Sequence, residues 1–339
     1  MRRILHIFNH RAEWDDIDDV CDTVVRCLDT LDDVEQRIFS PSHGGHPGRF
    51  AMRLRGEIRE FRPGFVHLHA PNPVATVCLP GVLPRGVKLV IHWHEDPRYK
   101  KILKPLETAL LRRADVIIGT SLAYIEHSQP LGPFLSKCVV IPPAIDVTRL
   151  IPSPTRLDKI RWRYGDKPLL LFTGRHLPYK GLEVLMEAVE AVEHDCRLMV
   201  GGEGPSTERL KRDHASERIH FAGPIPREDL AAWYTAADLF LFPSTTREEA
   251  FGIALAEAMW CGTPAVTFTI PGSGVNWVSL NGVTGIEVDN GNAEQLAAAI
   301  DHLLTHDDMR HEYGRAARRR ISDHMTSGLV SRKLEEVYS

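Results

Sequence analysis

The sequence predicts an α/β protein of two Rossmann-like domains, each built on a parallel sheet, with the two sheets facing a central cleft. Three observations predict it. Short β-branched or apolar runs alternate with helical patterns along the whole chain, the runs fall into two series, and a polar, proline-bearing stretch without a strand separates them. At 339 residues the chain is also too long for a comfortable single core.

The first series is "RILHIF", "VEQRIFS", "GFVHLHA", "VKLVIHW", "ADVIIGT" and "CVVIPPA"; the second is "LLLFTG", "CRLMVGG", "RIHFAG", "ADLFLFP", "PAVTF" and "TGIEV". Between them lies "IDVTRLIPSPTRLDKIRWRYGDKP". The boundary is therefore placed near Arg149 to Lys167, giving domains over 1–150 and 151–320 and a terminal helical segment over 321–339 around "GLVSRKLEEVYS". Apolar and charged fractions of 43% and 25% are ordinary for a globular protein. No apolar run reaches the roughly 18 residues of a membrane span, and Met1 leads into strand-like "RRILHIF" rather than a signal peptide, so a cytoplasmic protein is expected. Six cysteines are scattered without a C-x-x-C, which suggests neither a zinc ribbon nor a disulfide framework.

A net charge of -4 hides an asymmetry: 41–140 carries 14 Lys/Arg against 7 Asp/Glu, whereas everything after Leu150 carries 21 against 27. Much of the basic charge lies in "RFAMRLRGEIREFR" and "RYKKILKPLETALLRR", both with apolar residues at helical spacing. Such segments fit peripheral contact with an anionic membrane at the inner face of the cell membrane, and equally fit plain solvated helices. No nucleic-acid partner is expected.

The stretch "REEAFGIALAEAMWCGTP" sets Glu249 and Glu257 eight positions apart. "ADLFLFPS" reads as a strand, "TTREEAFG" as a loop and "IALAEAMWCG" as a helix closed at Gly262. Glu249 then sits at a strand's carboxyl end, while the amides of Phe251, Gly252 and Ile253 open a helix, where anions bind. Glu257 falls in the first turns of that helix and suits a hydroxyl-bearing ligand; an acid there can also simply complement the helix dipole. In "LFTGRHLPYKG", Gly174 is followed by Arg175 and Lys180, two cations able to clamp a diphosphate. "VGGEGP" brings Gly201, Gly202 and Gly204 to another strand end, where a backbone can approach closely. "IPGSGVNWVSLNGVTG" is a further glycine-rich loop.

The ordered set "TGRHLPYKG", "VGGEGP", "AADLFLFPS", "EEAFGIALAEAMWCGTPAV" and "NGVTG" resembles the family-four retaining glycosyltransferases of the GT-B fold over about 170 residues. Glu249 and Glu257 match that family's E-x7-E motif. The resemblance implies that Arg175 and Lys180 hold the donor diphosphate, Glu249 the hydroxyls of the transferred sugar and Glu257 the nucleotide ribose. The amides from Phe251 to Ile253 would meet sugar or phosphate oxygens. In the first half, "VIHWHEDPRYKKILKPLETALLRRADVIIGTS" and "KCVVIPPAID" are similar to bacterial members that build surface polysaccharides. There His94 maps to a histidine beside the reacting sugar, and Ser121 to a position lining the same site. His92 and His94 share a strand face, as do His67 and His69, which raises metal binding. No carboxylate at ligand spacing accompanies them and the family needs none, so neither a metal nor another cofactor is expected; core histidines are the other reading for His67 and His92. "DID" at Asp16–Asp18 reads as the solvated side of an amphipathic helix.

One departure concerns the acceptor side. Many family members carry a Gly-Gly turn after the first strand; this chain has "HIFNHRAEWDDIDD", so His10 and Arg11 replace that loop's role or the pocket has another shape. Read this way, the first domain binds the acceptor, the second binds the nucleotide sugar, and the terminal helix returns to the first domain. The expected enzyme moves a hexose from GDP-mannose or a UDP-hexose, with retention and without a metal, to a hydroxyl of a glycan or lipid-linked acceptor. A sugar-nucleotide epimerase of the same fold and a non-catalytic nucleotide-sugar-binding protein are the rival readings.

Overall fold

The computed structural model describes residues 1–8, 16–40, 46–97 and 101–339. These divide into two compact units, Met1–Ala144 with Ser327–Ser339, and Ile145–Thr326.

The first unit runs β1 (Arg2–Ile7), α1 (Asp16–Asp29), β2 (Val34–Phe39), α2 (Pro47–Phe61), β3 (Phe65–Ala70), α3 (Pro73–Val82), β4 (Lys88–Trp93), α4 (Lys104–Arg113), β5 (Val116–Gly119), α5 (Leu122–His127) and β6 (Cys138–Val140). Its six strands pair in parallel in the order β2-β1-β3-β4-β5-β6. β3 is buried along its whole length, His67 and His69 included, because helices cover both faces of a parallel sheet. Helices α3 and α5 start at side-chain caps that the sequence supplies. Asn72 Oδ1 accepts from Ala75 N at 2.9 Å to open α3, and Ser121 Oγ accepts from Tyr124 N at 3.1 Å to open α5. In α2 the apolar side chains Phe50, Leu54, Ile58 and Phe61 are buried, and the basic residues Arg53, Arg55 and Arg59 are exposed.

The second unit runs α6 (Pro154–Tyr164), β7 (Leu169–Thr173), α7 (Leu182–Ala191), β8 (Arg197–Gly201), α8 (Thr207–His214), β9 (Ile219–Gly223), α9 (Arg227–Ala236), β10 (Leu239–Phe242), α10 (Ile253–Trp260), β11 (Ala265–Phe268), α11 (Val275–Val278), β12 (Gly285–Val288), α12 (Ala293–Thr305) and α13 (Asp307–His324). The sheet order is β12-β11-β10-β7-β8-β9, all parallel. Strand order reverses between β7 and β10, where Leu239 and Phe240 pair with Leu170 and Leu171. A ligand crevice forms outside the carboxyl ends of strands at such a point, because the two flanking loops depart to opposite faces.

All twelve expected strands are present. The polar stretch between the two series has no strand, as expected, and 154–164 of it forms α6, whose Ile160 and Tyr164 enter the core of the second unit. Tyr164 meets Trp233 of α9 edge to face at 5.8 Å, and Arg156 bridges Asp229 at 2.8 Å. The units divide at Ala144/Ile145 rather than after residue 150, and the second unit runs through α13 and on to Thr326 rather than ending at 320. The chain closes with α14 (Ser327–Val337) in the first unit, where Val330 and Leu334, with Tyr338 just beyond, pack on Val24, Cys27 and Leu28 of α1.

Candidate functional site

The second unit's site grows from the reversal between β7 and β10. β7 ends at Thr173, and the loop after it carries Gly174, Arg175 and Lys180; β10 ends at Phe242, and its loop carries Ser244 and Glu249. Neighbouring strands therefore bring together residues 69 apart in sequence: Lys180 Nζ donates to Glu249 Oε2 at 2.6 Å. Both side chains are nearly enclosed, 5% and 10% exposed. Ser244 Oγ donates to the same carboxylate oxygen at 2.9 Å, and Ser273 Oγ donates to the Glu249 carbonyl. The ammonium lies over the rings of Tyr179 at 5.3 Å and Phe242 at 5.5 Å, where the aromatic quadrupole favours a cation.

Two glycines let the loops come this close. Gly181 has φ +67°, and a Cβ there would lie 2.0 Å from the Pro243 carbonyl oxygen; Gly202 has φ +106°, and its Cβ would lie 2.0 Å from that of Gly174. Any side chain at either position would push the β10 or β7 loop outward. Arg175 is exposed on the β7 loop, whereas Lys180 is buried.

Phe251 is buried, and Gly252 caps α10. The first helical hydrogen bond runs from Ala256 N to Gly252 O, so the amides of Ile253, Ala254 and Leu255 precede it and mark the positive end of the helix. Glu257 belongs to a different contact set from Glu249. Tyr234 OH donates to Glu257 Oε2 at 3.1 Å and, its proton so used, accepts from Thr173 Oγ1 at 3.2 Å. Burial and then the Glu257 charge push the Tyr234 phenol well above its ordinary pKa, so it stays a donor. Sequence reasoning passed over Tyr234, Ser244 and Ser273; "FLFPS" contains Ser244, but nothing local marks it as a carboxylate partner.

In the first unit, His94 follows β4, buried, and its backbone N–H donates to Ala70 O at 3.0 Å. It belongs to a buried set of five imidazoles: His6 of β1, His67 and His69 of β3, His92 of β4, and His94. Parallel register sets His6 opposite His67 and His69 opposite His92. His67 stacks on His69 at 4.4 Å and His92 on His94 at 4.2 Å. Burial lowers every one of these pKa values, His6 to about 4, His94 to about 3 and the others well below the usual range, so all five are neutral at pH 7. The donor atoms of two triads lie within 4.8 Å of one another, His6 with His67 and His69, and Cys21 with His69 and His94, close enough to converge on a metal ion. Several of these atoms already bond one another: His6 Nδ1 to His69 Nε2 at 3.2 Å, and His69 Nδ1 to His94 Nε2 at 3.0 Å.

Ser121 is fully buried and uses its hydroxyl as the cap of α5. His10 and Arg11 lie outside the described residues. Among the described residues, no helix is long and apolar enough to cross a membrane.

Comparison with known proteins agrees with this geometry in both halves. The profile of the Glycosyltransferase Family 4 domain matches residues 18–149, and that of Glycosyl transferases group 1 matches 155–320. A GDP-mannose-dependent alpha-(1-6)-phosphatidylinositol monomannoside mannosyltransferase of Mycolicibacterium smegmatis is 30% identical over 277 residues, 75% of this chain and 70% of the relative. The chain belongs to the family-four glycosyltransferases. O-antigen chain mannosyltransferase C of Escherichia coli is 28% identical to this glycosyltransferase over 297 residues, 83% of this chain and 78% of the relative. The solved structure of Anabaena HepE in complex with UDP-glucose superposes with a TM-score of 0.83 at 17% identity, covering 99% of each chain, which shows the GT-B fold of the enzyme.

Proposed function

We propose that this glycosyltransferase moves a hexose from a nucleoside diphosphate sugar to a hydroxyl of a glycan or lipid-linked acceptor, with retention at the anomeric carbon and without a metal ion. The observation that carries the reading is the buried Lys180–Glu249 pair at the point where the second sheet reverses its strand order, beside the loop that opens α10. An ammonium there favours the charge that develops on a departing diphosphate. The carboxylate paired with it accepts hydrogen bonds from sugar hydroxyls. Arg175 adds charge at the diphosphate with the amides that open α10, and Gly174 and Gly202 admit the donor's phosphates to the backbone. Glu257, oriented by Tyr234, takes the ribose hydroxyls.

In the transfer the bond from the anomeric carbon to the phosphate oxygen breaks, and the bond to the acceptor oxygen forms on the same face. The acceptor proton passes to the leaving phosphate. His94, with its pKa lowered to about 3, is too weak a base to take that proton near neutrality and orients a hydroxyl of the sugar or acceptor instead. GDP-mannose is the first donor to try, since the Mycolicibacterium relative is GDP-mannose-dependent, and UDP-hexoses are the second. A lipid-linked acceptor would bring the enzyme to the cytoplasmic face of a membrane, where Arg53, Arg55 and Arg59 of α2 present positive charge to anionic lipid.

The test is release of free nucleoside diphosphate from each donor with and without a glycolipid acceptor fraction, before and after exhaustive chelation with EDTA. Release that requires acceptor and persists in EDTA is expected. Release without acceptor would favour donor breakdown, epimerised donor without release would revive the epimerase, and loss of turnover restored by manganese would return the histidine triads to the chemistry.

A further inference from the structure

The five imidazoles are joined in part by a directed chain. Gln36 of β2 donates from Nε2 to Val25 O at 3.0 Å and to Asp29 Oδ1 at 2.6 Å. Both partners accept only, so the amide cannot be turned over, and its Oε1 faces His6 Nε2 at 2.8 Å. A carbonyl oxygen only accepts; His6 therefore carries its proton on Nε2. Neutral imidazole has a single N–H, which leaves His6 Nδ1 a lone pair, and His69 Nε2 at 3.2 Å must donate to it. By the same step His69 Nδ1 is a lone pair, and His94 Nε2 at 3.0 Å must donate to it. Cys21 Sγ, 3.7 Å from the same nitrogen, adds a weak acceptor on that side. His94 Nδ1 is then a bare lone pair, buried and without a partner among the described residues.

We infer that Gln36, His6 and His69 are positioning residues that hold His94 as its Nε2–H tautomer, so that Nδ1, the nitrogen of His94 left for a partner, is a hydrogen-bond acceptor and never a donor. The consequence concerns specificity. A bare imidazole nitrogen attracts a hydroxyl and repels a phosphate oxygen, so the partner of His94 is a sugar or acceptor hydroxyl. This consequence rests on the role given to His94 in the proposed function; the tautomer itself does not. The relay is set from outside the core: a glutamine two rings away decides which nitrogen of His94 is bare.

Long-range ¹H–¹⁵N spectra of the ¹⁵N-histidine-labelled full chain read each ring nitrogen directly, with His94 assigned by its disappearance in His94→Gln. The wild-type protein should show His94 Nδ1 at the downfield position of an unprotonated nitrogen and Nε2 at the upfield position of a protonated one, and both should hold from pH 8 to pH 6. Gln36→Leu removes the carbonyl oxygen that fixes the polarity of the chain among the described residues, so the two His94 shifts should move toward each other as both tautomers become populated. His6→Phe cuts the chain one link later and should give the same change. A protonated Nδ1 in the wild type, or a His94 signal unmoved by Gln36→Leu, overturns the inference. In the same variant, turnover per donor at low donor should fall about tenfold, the ratio that loss of one hydrogen bond of about 1.4 kcal/mol gives. A shifted tautomer with turnover unchanged would leave the relay standing and remove His94 from the proposed reaction.

Discussion

Lys180 and Glu249 have to be judged together, because neither charge is solvated. Two ions taken out of water cost several kcal/mol each, and their attraction with the added Ser244 bond offsets this only while both are present. Lys180→Ala therefore does more than remove a phosphate contact: it leaves a buried carboxylate without its counter-ion. The single variant should lose about 3–5 kcal/mol of stability, seen as a lower urea midpoint with an unchanged slope. Adding Glu249→Gln removes the stranded charge, so the double variant should regain much of that stability while transfer stays at the level of the single variant. A site that served only the fold would regain both. Equal urea midpoints for Lys180→Ala and the parent would mean that the pair carries no such coupling.

At the scale of elements, the histidine face of β1, β3 and β4 is a polar band inside a core otherwise made of Ile4, Phe65, Val90 and their neighbours. His92 is the least satisfied member: both its ring nitrogens are buried without a partner among the described residues. His92→Leu replaces two desolvated polar atoms with apolar ones and should stabilise the first unit by about 1–3 kcal/mol at neutral pH. The same face fixes a pH dependence. Each histidine has a folded pKa lowered from about 6.5, to about 4 for His6 and about 3 for His94. As pH falls below 6.5 the unfolded chain takes up protons that the folded one refuses, so this stability is complete above pH 6.5 and drains away toward pH 4 and then pH 3. Removing one such group should make the slope of stability against pH shallower by about 1.4 kcal/mol per pH unit within that window, and denaturant midpoints of His92→Leu and parent from pH 7 to pH 4.5 measure it. An unchanged slope would place the His92 ring in contact with solvent. The two-residue period of "HLH" and "HWH" made the shared faces of His67 with His69 and His92 with His94 legible. The sequence did not show His6 and Gln36 joining them, because that depends on β1 lying between β2 and β3, a long-range order that no local pattern carries. The Lys180–Glu249 pair was hidden for the same reason: both residues were singled out, but their contact needs β7 beside β10. The stretch around α6 has no strand, as its pattern indicates, but its helix was not legible because only Leu157, Ile160 and Tyr164 pack toward the core, while Trp162, the residue that most suggests a core, is 88% exposed.

For the whole molecule the relevant fact is that the chain builds one core from 145–326 and completes the other with its last thirteen residues. The first unit cannot close until α14 is made: Val330, Leu334 and Tyr338 bury their side chains against α1, Ser331 Oγ donates to Cys27 O at 2.8 Å, and Tyr338 OH pairs with His67. Burying three such apolar side chains is worth roughly 5–8 kcal/mol, comparable with the whole 5–15 kcal/mol by which a domain is stable. Truncation after Thr326 should therefore melt the first unit near room temperature and leave the second with a cooperative transition of its own. Tryptophan positions separate the two. Trp93 at the end of β4 is buried and donates to Asp96 at 3.0 Å, whereas Trp233, Trp260 and Trp277 report on the second unit. In a Trp14→Phe, Trp93→Phe background the truncated chain should lose little of its emission change on unfolding; with Trp93 alone restored, that residue should already emit as solvent-exposed in native buffer. Nucleoside diphosphate binding separates the units again, since the residues proposed for it lie within 145–326 and should still raise the melting temperature of the remaining transition. A truncated chain whose Trp93 stays buried would show that α1 and the sheet hold the first core without α14.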